Sequence, residues 1–144
     1  MSSDKFNVLM IFEVIGKPAE HLTETLKEIA EKIKGVKGVE LTSHKINVPA
    51  PFKVKEGFFT NFMELEAKVD DLEILSNLMF IFMPAHVEIL EPENIHIQNN
   101  TLNTFFNGLM RKLHGYDEVT RVAQTEKMIL QKKLEEIMKS QKKD

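Results

Sequence analysis

A chain of 144 residues with 42% hydrophobic and 28% charged residues has the length of one domain with a small appendage, and this composition excludes wholesale disorder. The absence of cysteine excludes disulfides, thiolate metal sites and cysteine nucleophiles, and it fits a reducing compartment. Residues 110–144 hold nine lysines and arginines against six acids, so they carry +3 and the rest carries −6 of the net −3. No apolar run reaches the roughly 18 residues of a membrane helix and no signal-peptide pattern is present, so we expect a cytoplasmic protein without a membrane partner.

The first predicted elements are a strand and a helix. Residues 6–15, FNVLMIFEVI, are almost wholly apolar and predict a central strand. Gly16-Lys17-Pro18 ends this strand, and Pro18 suits the first position of a helix because its missing N–H costs nothing there. Helical spacing then places five apolar residues of 18–34 on one face, namely Leu22, Leu26, Ile29, Ala30 and Ile33.

Two strands follow, joined by a long hairpin loop. Residues 39–48 change their alternation partway, which predicts a bulge near Ser43-His44. Pro49-Ala50-Pro51 excludes pairing as a central strand. Residues 58–69 alternate regularly, so one face of this strand is apolar and the other is charged.

A second helix is predicted over residues 71–83, with Asp70 as its N-cap and Glu73 in a capping box. Pro84 disfavours helical geometry at the residue before it and ends the helix. A fourth strand follows at 87–90, and we expect it to resume at 95–97. The predicted buried face of the helix contains Leu72, Leu75, Leu78, Met79 and Phe82.

The element order is strand, helix, strand, strand, helix, strand. Two βαβ units with right-handed crossovers predict an antiparallel sheet with both helices on one face and the first and third strands at its centre. This order resembles the ferredoxin-like superfold, including the ACT-like regulatory domains, although their glycine-centred ligand loop has no match here. The chain also resembles uncharacterised archaeal proteins, which implies no activity. We predict an α+β fold: a ferredoxin-like βαββαβ sandwich in residues 1–98 and a C-terminal helical extension in residues 99–144.

The extension is predicted to be helical and to need a partner. A wide apolar stripe runs through residues 102–113, and Gly115 either breaks the helix or is passed through, since one helical glycine costs about 1 kcal/mol. Residues 116–139 are helical but thinly apolar, and such a helix is marginal alone. The spacing at its end is that of a coiled-coil seam. The predicted oligomer interface comprises Leu102, Phe105, Phe106, Leu109, Leu113, Leu130, Leu134 and Ile137.

The sequence offers weak candidates for catalysis and metal binding. His86 and Glu88 share one predicted strand face, which His96 rejoins if the strand resumes at 95–97. Zinc sites need three or four ligands, and the sequence contains no HExxH or comparably close-spaced pair, so we expect no metal. Ser43 and His44 are adjacent on a strand and point to opposite faces, which excludes a nucleophile-base pair. We expect no catalytic residue and no cofactor.

Nucleic acid is a disfavoured partner. Phe58 and Phe62 on an open sheet face could stack on RNA bases. Glu64 and Glu66 share that face and would repel phosphate. The basic residues of the C-terminal helix are interleaved with acids, which is typical of a solvated helix face.

The leading interpretation is a homo-oligomeric interaction or scaffold module without catalytic activity, because no catalytic constellation is present, the third helix is apolar and the long last helix needs a partner. The apolar stripe of residues 102–113 could cover the bare face of the sheet in its own chain or in a second copy. Two alternatives stay open. One is an ACT-like small-molecule sensor that binds its ligand between subunits near Gly16, Lys17 and Pro18. The other is a nucleic-acid binder that uses the basic C-terminal helix.

Overall fold

The computed structural model describes residues 5–142, and the chain divides into two compact units between His96 and Ile97. The first unit has a mixed α+β architecture with the predicted element order. Its strands are β1 (Phe6–Gly16), β2 (Val39–Ile46), β3 (Ala50–Pro51), β4 (Phe59–Val69) and β5 (His86–Glu91), and its helices are α1 (Ala19–Lys34) and α2 (Leu72–Phe82).

The sheet has the strand order β2-β4-β1-β5, and the two-residue β3 pairs with β4 beside β2. Its pairings are antiparallel throughout the described strands. The predicted first and third strands are β1 and β4, and they occupy the centre. The ferredoxin-like order is therefore confirmed.

The core lies on one face of this sheet. On β4 the residues Met63, Leu65, Ala67 and Val69 are fully buried while their neighbours are more exposed, which confirms the predicted alternation. The register sets Met10 of β1 opposite Leu65 of β4. Both helices cover this same face, because residues of α1 and α2 belong to one buried cluster with the strands. The members contributed by the helices are Leu26, Ala30, Ile33, Leu75 and Leu78.

The N-terminus of α2 differs from the sequence prediction by one residue. The N-cap is Asp71, whose Oδ1 accepts a hydrogen bond from the backbone N–H of Ile74 at 2.8 Å. Asp70, the predicted cap, lies one residue too early to reach that N–H and instead pairs with Lys5 Nζ at 3.6 Å. Two consecutive aspartates leave the choice of cap to the backbone geometry, which the sequence does not specify.

The buried face of α2 agrees with the predicted one except at Met79: Leu75 and Leu78 are buried, and Leu72 and Phe82 pack against the core. Ser76 is buried at 5% exposure, whereas Met79, predicted to face the core, is 40% exposed. Because α2 reads LEILSNLMFIF and is apolar on nearly every side, its periodicity does not single out one face. Packing against the sheet decides which of these side chains are fully buried.

The edge strands contain two irregularities. The register of β2 against β4 shifts between Leu41 and Ser43, so the bulge lies beside the predicted position. At this bulge, Thr42 Oγ1 donates a hydrogen bond to the Glu66 carbonyl at 3.1 Å. The predicted resumption of the last strand at 95–97 is wrong: β5 ends at Glu91 and no strand follows it among the described residues. Pro92, which lacks an N–H for sheet pairing, comes directly after β5.

The second unit contains one long helix, α3 (Asn99–Lys142), of 44 residues. It continues through both Gly108 and Gly115, so the extension forms one helix rather than two. At 1.5 Å per residue it is about 66 Å long. Among the described residues, no helix combines the length and the apolar character needed to cross a membrane.

Candidate interaction surfaces

The surface of α3 is the largest candidate site. No residue of this helix is buried, although it contains many large apolar side chains. Of the eight predicted interface residues, Leu102, Phe105 and Leu109 are half-buried. The other five, Phe106, Leu113, Leu130, Leu134 and Ile137, are between 46% and 66% exposed. The rings of Phe105 and Phe106 contact each other at a centroid distance of 5.8 Å.

A second candidate is the face of the sheet opposite α1 and α2. On β1 it carries Leu9 and Ile11, both half-buried, and on β4 it carries Phe62 at 37% exposure. The Oδ1 atom of Asn7 is buried and accepts no hydrogen bond among the described residues. The strand register also places the charged residues Glu13, Glu40, Lys45, Glu64, Glu66, Lys68, Glu88 and Glu91 on this face.

Acidic side chains outnumber basic ones on this sheet face. Glu64 and Glu66 share the face, as predicted from their spacing. The register sets Lys45 of β2 opposite Glu64, and His86 Nε2 lies 3.5 Å from Glu88 Oε2 on the opposite edge. The remaining acids would repel a phosphate backbone.

The turn between β1 and α1 is the third candidate. Gly16 ends β1 and Pro18 is the N-cap of α1. Lys17 Nζ lies 5.1 Å from the ring centroid of Phe58, and Lys55 Nζ lies 4.3 Å from the same centroid. Two ammonium groups on one aromatic ring are within cation–π distance. They concentrate positive charge at the end of the sheet.

Lys55 was not identified from the sequence as part of this group, because its place depends on how the hairpin loop folds back. Phe58 lies one residue before β4, and its carbonyl accepts from the backbone N–H of Phe52 at 2.8 Å. This bond closes the loop that carries Lys55. The three-residue separation of Lys55 and Phe58 in the sequence is the signal that could have suggested the contact.

The weak catalytic and metal candidates are not brought together. Ser43 is paired with Glu66 and His44 with Leu65, so the two side chains alternate across β2 as predicted. His96 lies outside β5 and therefore does not share a strand face with His86. In residues 5–142, no three His, Asp or Glu side chains lie close enough together to hold a metal ion.

These observations define the class: an α+β domain with the ferredoxin-like order of elements, followed by one long helix with an apolar surface. The chain belongs to the MJ0538 family, whose family model matches residues 7–143 and therefore spans both units. No curated protein and no solved structure shows a significant match to the chain. Its function is therefore inferred from its own surfaces.

Proposed function

We propose that this protein is a homo-oligomeric interaction or scaffold module without catalytic activity, and that α3 makes the assembly contact. The observation that supports this proposal is the complete lack of buried residues in a 44-residue helix. Isolated helices gain little stability from propensity alone, and most helical stability in proteins comes from packing of an apolar face. A helix with this surface gains that packing from a second chain.

The apolar surface of α3 extends to its C-terminal part. Leu130, Leu134 and Ile137 are 66%, 58% and 56% exposed. Burial of such side chains stabilises an assembly by about 25 cal/mol per Å² of apolar surface removed from water. Large exposed apolar patches on folded proteins commonly mark sites of association. The cysteine-free sequence fits a cytoplasmic location, which we include in the proposal.

An ACT-like sensor that binds a ligand between subunits at Gly16, Lys17 and Pro18 ranks second. Its support is the pair of ammonium groups, from Lys17 and Lys55, on the ring of Phe58. This arrangement suits an anionic small molecule. A rise in melting temperature with such a ligand, lost in Lys55→Ala, would favour the sensor over the scaffold.

The experiment that tests the scaffold is a truncation after Gly115, measured by multi-angle light scattering. We expect the full chain to form an oligomer and the truncated chain to have a lower mass per particle. The circular dichroism of the truncated chain should still show a cooperatively folded α+β domain, because the buried cluster and the apolar residues packed against it lie within residues 6–89. An unchanged number of subunits after truncation would exclude α3 beyond Gly115 as the assembly contact.

A pair of point variants in the full chain serves as the matched control. Leu134→Glu places a charge on the exposed apolar surface and should lower the mass as the truncation does. Thr125→Glu adds the same charge at a position where the side-chain hydroxyl only donates to the Arg121 carbonyl of its own helix. This second variant should have the same mass per particle as the unaltered full chain.

A further inference from the structure

The two apolar stretches of α3 lie in a single heptad register. Because the helix continues through Gly115 without interruption, spacings on its two sides can be compared directly. A strict seven-residue series runs along the whole helix, and a second series lies four residues after it. The first contains Leu102, Leu109, Tyr116, Ala123, Leu130 and Ile137, and the second contains Phe106, Leu113, Thr120, Lys127 and Leu134.

The first series corresponds to the d positions of a coiled coil and the second to the a positions. Side chains at these positions insert as knobs into holes between side chains of the facing helix. Only Thr120 and Lys127 among these eleven residues are polar, and both lie near the middle of the helix. Gly108 and Gly115 fall at c positions, outside the seam. Among the described residues, a Cβ at Gly108 would meet only Arg111 Nη2 at 3.7 Å, and a Cβ at Gly115 would meet nothing within 4 Å. The positions that would weaken packing are therefore on the outer side of the proposed contact.

We propose that α3 pairs with α3 of a second copy as a parallel, in-register, two-stranded coiled coil. This inference rests on the proposed function and names its partner, its surface and its orientation. The seam from Leu102 to Ile137 is about 54 Å long. With the flanking e and g positions it offers about 20 residues per chain, the number found on each side of a stable protein interface.

The charges beside the seam favour the parallel orientation. In a parallel pair a g residue meets the e residue five positions later on the other chain, which brings Lys112 to Asp117 of the partner subunit. Asp117 already accepts from Arg121 Nε at 3.0 Å in its own helix, and its carboxylate has lone pairs for a second donor. In an antiparallel pair whose helices overlap along their full length, Lys112 would instead meet Lys133 of the partner subunit, and the two positive charges would repel each other.

Lys127 restricts the register. In the parallel, in-register pair it meets its own copy at an a position, where a single lysine lowers stability but specifies one register and one oligomeric state. A shift by one heptad would place Lys127 against Thr120 or Leu134 and would leave terminal apolar residues unpaired. Of these two parallel arrangements, only the in-register pair sets every apolar a and d residue on both sides of Lys127 opposite its own copy.

Single-cysteine variants test the orientation cleanly, since the natural sequence has no cysteine. Leu134→Cys should form a disulfide-linked dimer under mild oxidation, because residues at matching a positions face each other in a parallel pair. Lys132→Cys, at an outward f position of the same helical turn, is the control and should cross-link several-fold more slowly. Light scattering of the reduced variants checks that both assemble.

An equimolar mixture of Leu109→Cys and Leu134→Cys proteins gives the decisive readout by peptide mass spectrometry. The parallel pair predicts disulfides that join 109 to 109 and 134 to 134. A dominant product that joins 109 to 134, or an assembled dimer in which Leu134→Cys does not cross-link with itself, would overturn the parallel coiled coil and leave the proposed oligomer intact. A monomeric full chain would overturn both proposals.

Discussion

At the scale of single residues, two glycines share a left-handed backbone and differ in their surroundings. Gly38 has φ of +85° and Gly57 has φ of +84°. A Cβ on Gly38 would lie 2.5 Å from Ile74 Cδ1 and 3.3 Å from Asp70 Oδ2, whereas a Cβ on Gly57 would meet nothing within 4 Å. Gly38 also closes the end of the sheet, since its carbonyl accepts from the N–H of Asp70 at 3.0 Å.

We predict that Gly38→Ala lowers the free energy of unfolding more than Gly57→Ala. Both variants carry the strain of a positive φ, which costs about 1–3 kcal/mol for non-glycine residues. Only Gly38→Ala adds a close approach to α2. The difference between the two variants in urea unfolding therefore isolates the packing contribution. Equal losses would mean that the turn can relax away from Ile74.

A second residue-scale prediction concerns the cap of α2. Asp71→Ala should lower the free energy of unfolding by about 1 kcal/mol, because it removes the side-chain acceptor for the Ile74 N–H. Asp70→Ala is the control: its ion pair with Lys5 is about half exposed, and such surface pairs contribute between 0 and about 1 kcal/mol. A larger loss in Asp70→Ala than in Asp71→Ala would contradict the assignment of the cap.

At the scale of secondary structure, elements with one apolar and one polar face were predictable. β4 alternates strictly and α1 has a clear helical stripe, so both their type and their buried face followed from the sequence. The buried face of α2 was predicted except at Met79 and Ser76, because a helix that is apolar on nearly all sides gives a weak periodic signal. The expected resumption of β5 failed for a related reason: Ile95 and Ile97 alternate with polar residues, but that pattern carries no information about a pairing partner.

The candidate surfaces also contain some features that were predictable from the sequence and some that were not. The individual apolar residues of α3 were predictable from their spacing. Whether the residues before and after Gly115 share one heptad register depended on whether Gly115 interrupts the helix. Glycine costs only about 1 kcal/mol in a helix interior, which is too little to decide between one helix and two from sequence alone. The contact of Lys55 with Phe58 depends on loop closure, for which no periodic signal exists.

At the scale of the whole molecule, the chain combines a unit with its own core and a unit without one. The buried cluster contains residues of β1, α1, β4 and α2. In α3, by contrast, no residue is buried. Stability that comes from a core within one chain is independent of protein concentration, whereas stability that comes from association follows mass action. The two units should therefore respond differently to dilution.

We predict that the melting temperature of α3 falls on dilution while that of the first unit does not. Thermal unfolding followed by circular dichroism at 222 nm, at protein concentrations that span about two orders of magnitude, measures this directly. The chain truncated after Gly115 is the control and should keep only the concentration-independent transition, because the core residues remain. A full-length chain whose helical signal melts at one temperature at every concentration would show that α3 is stabilised within its own chain, and the proposed pairing with a second copy would then be wrong.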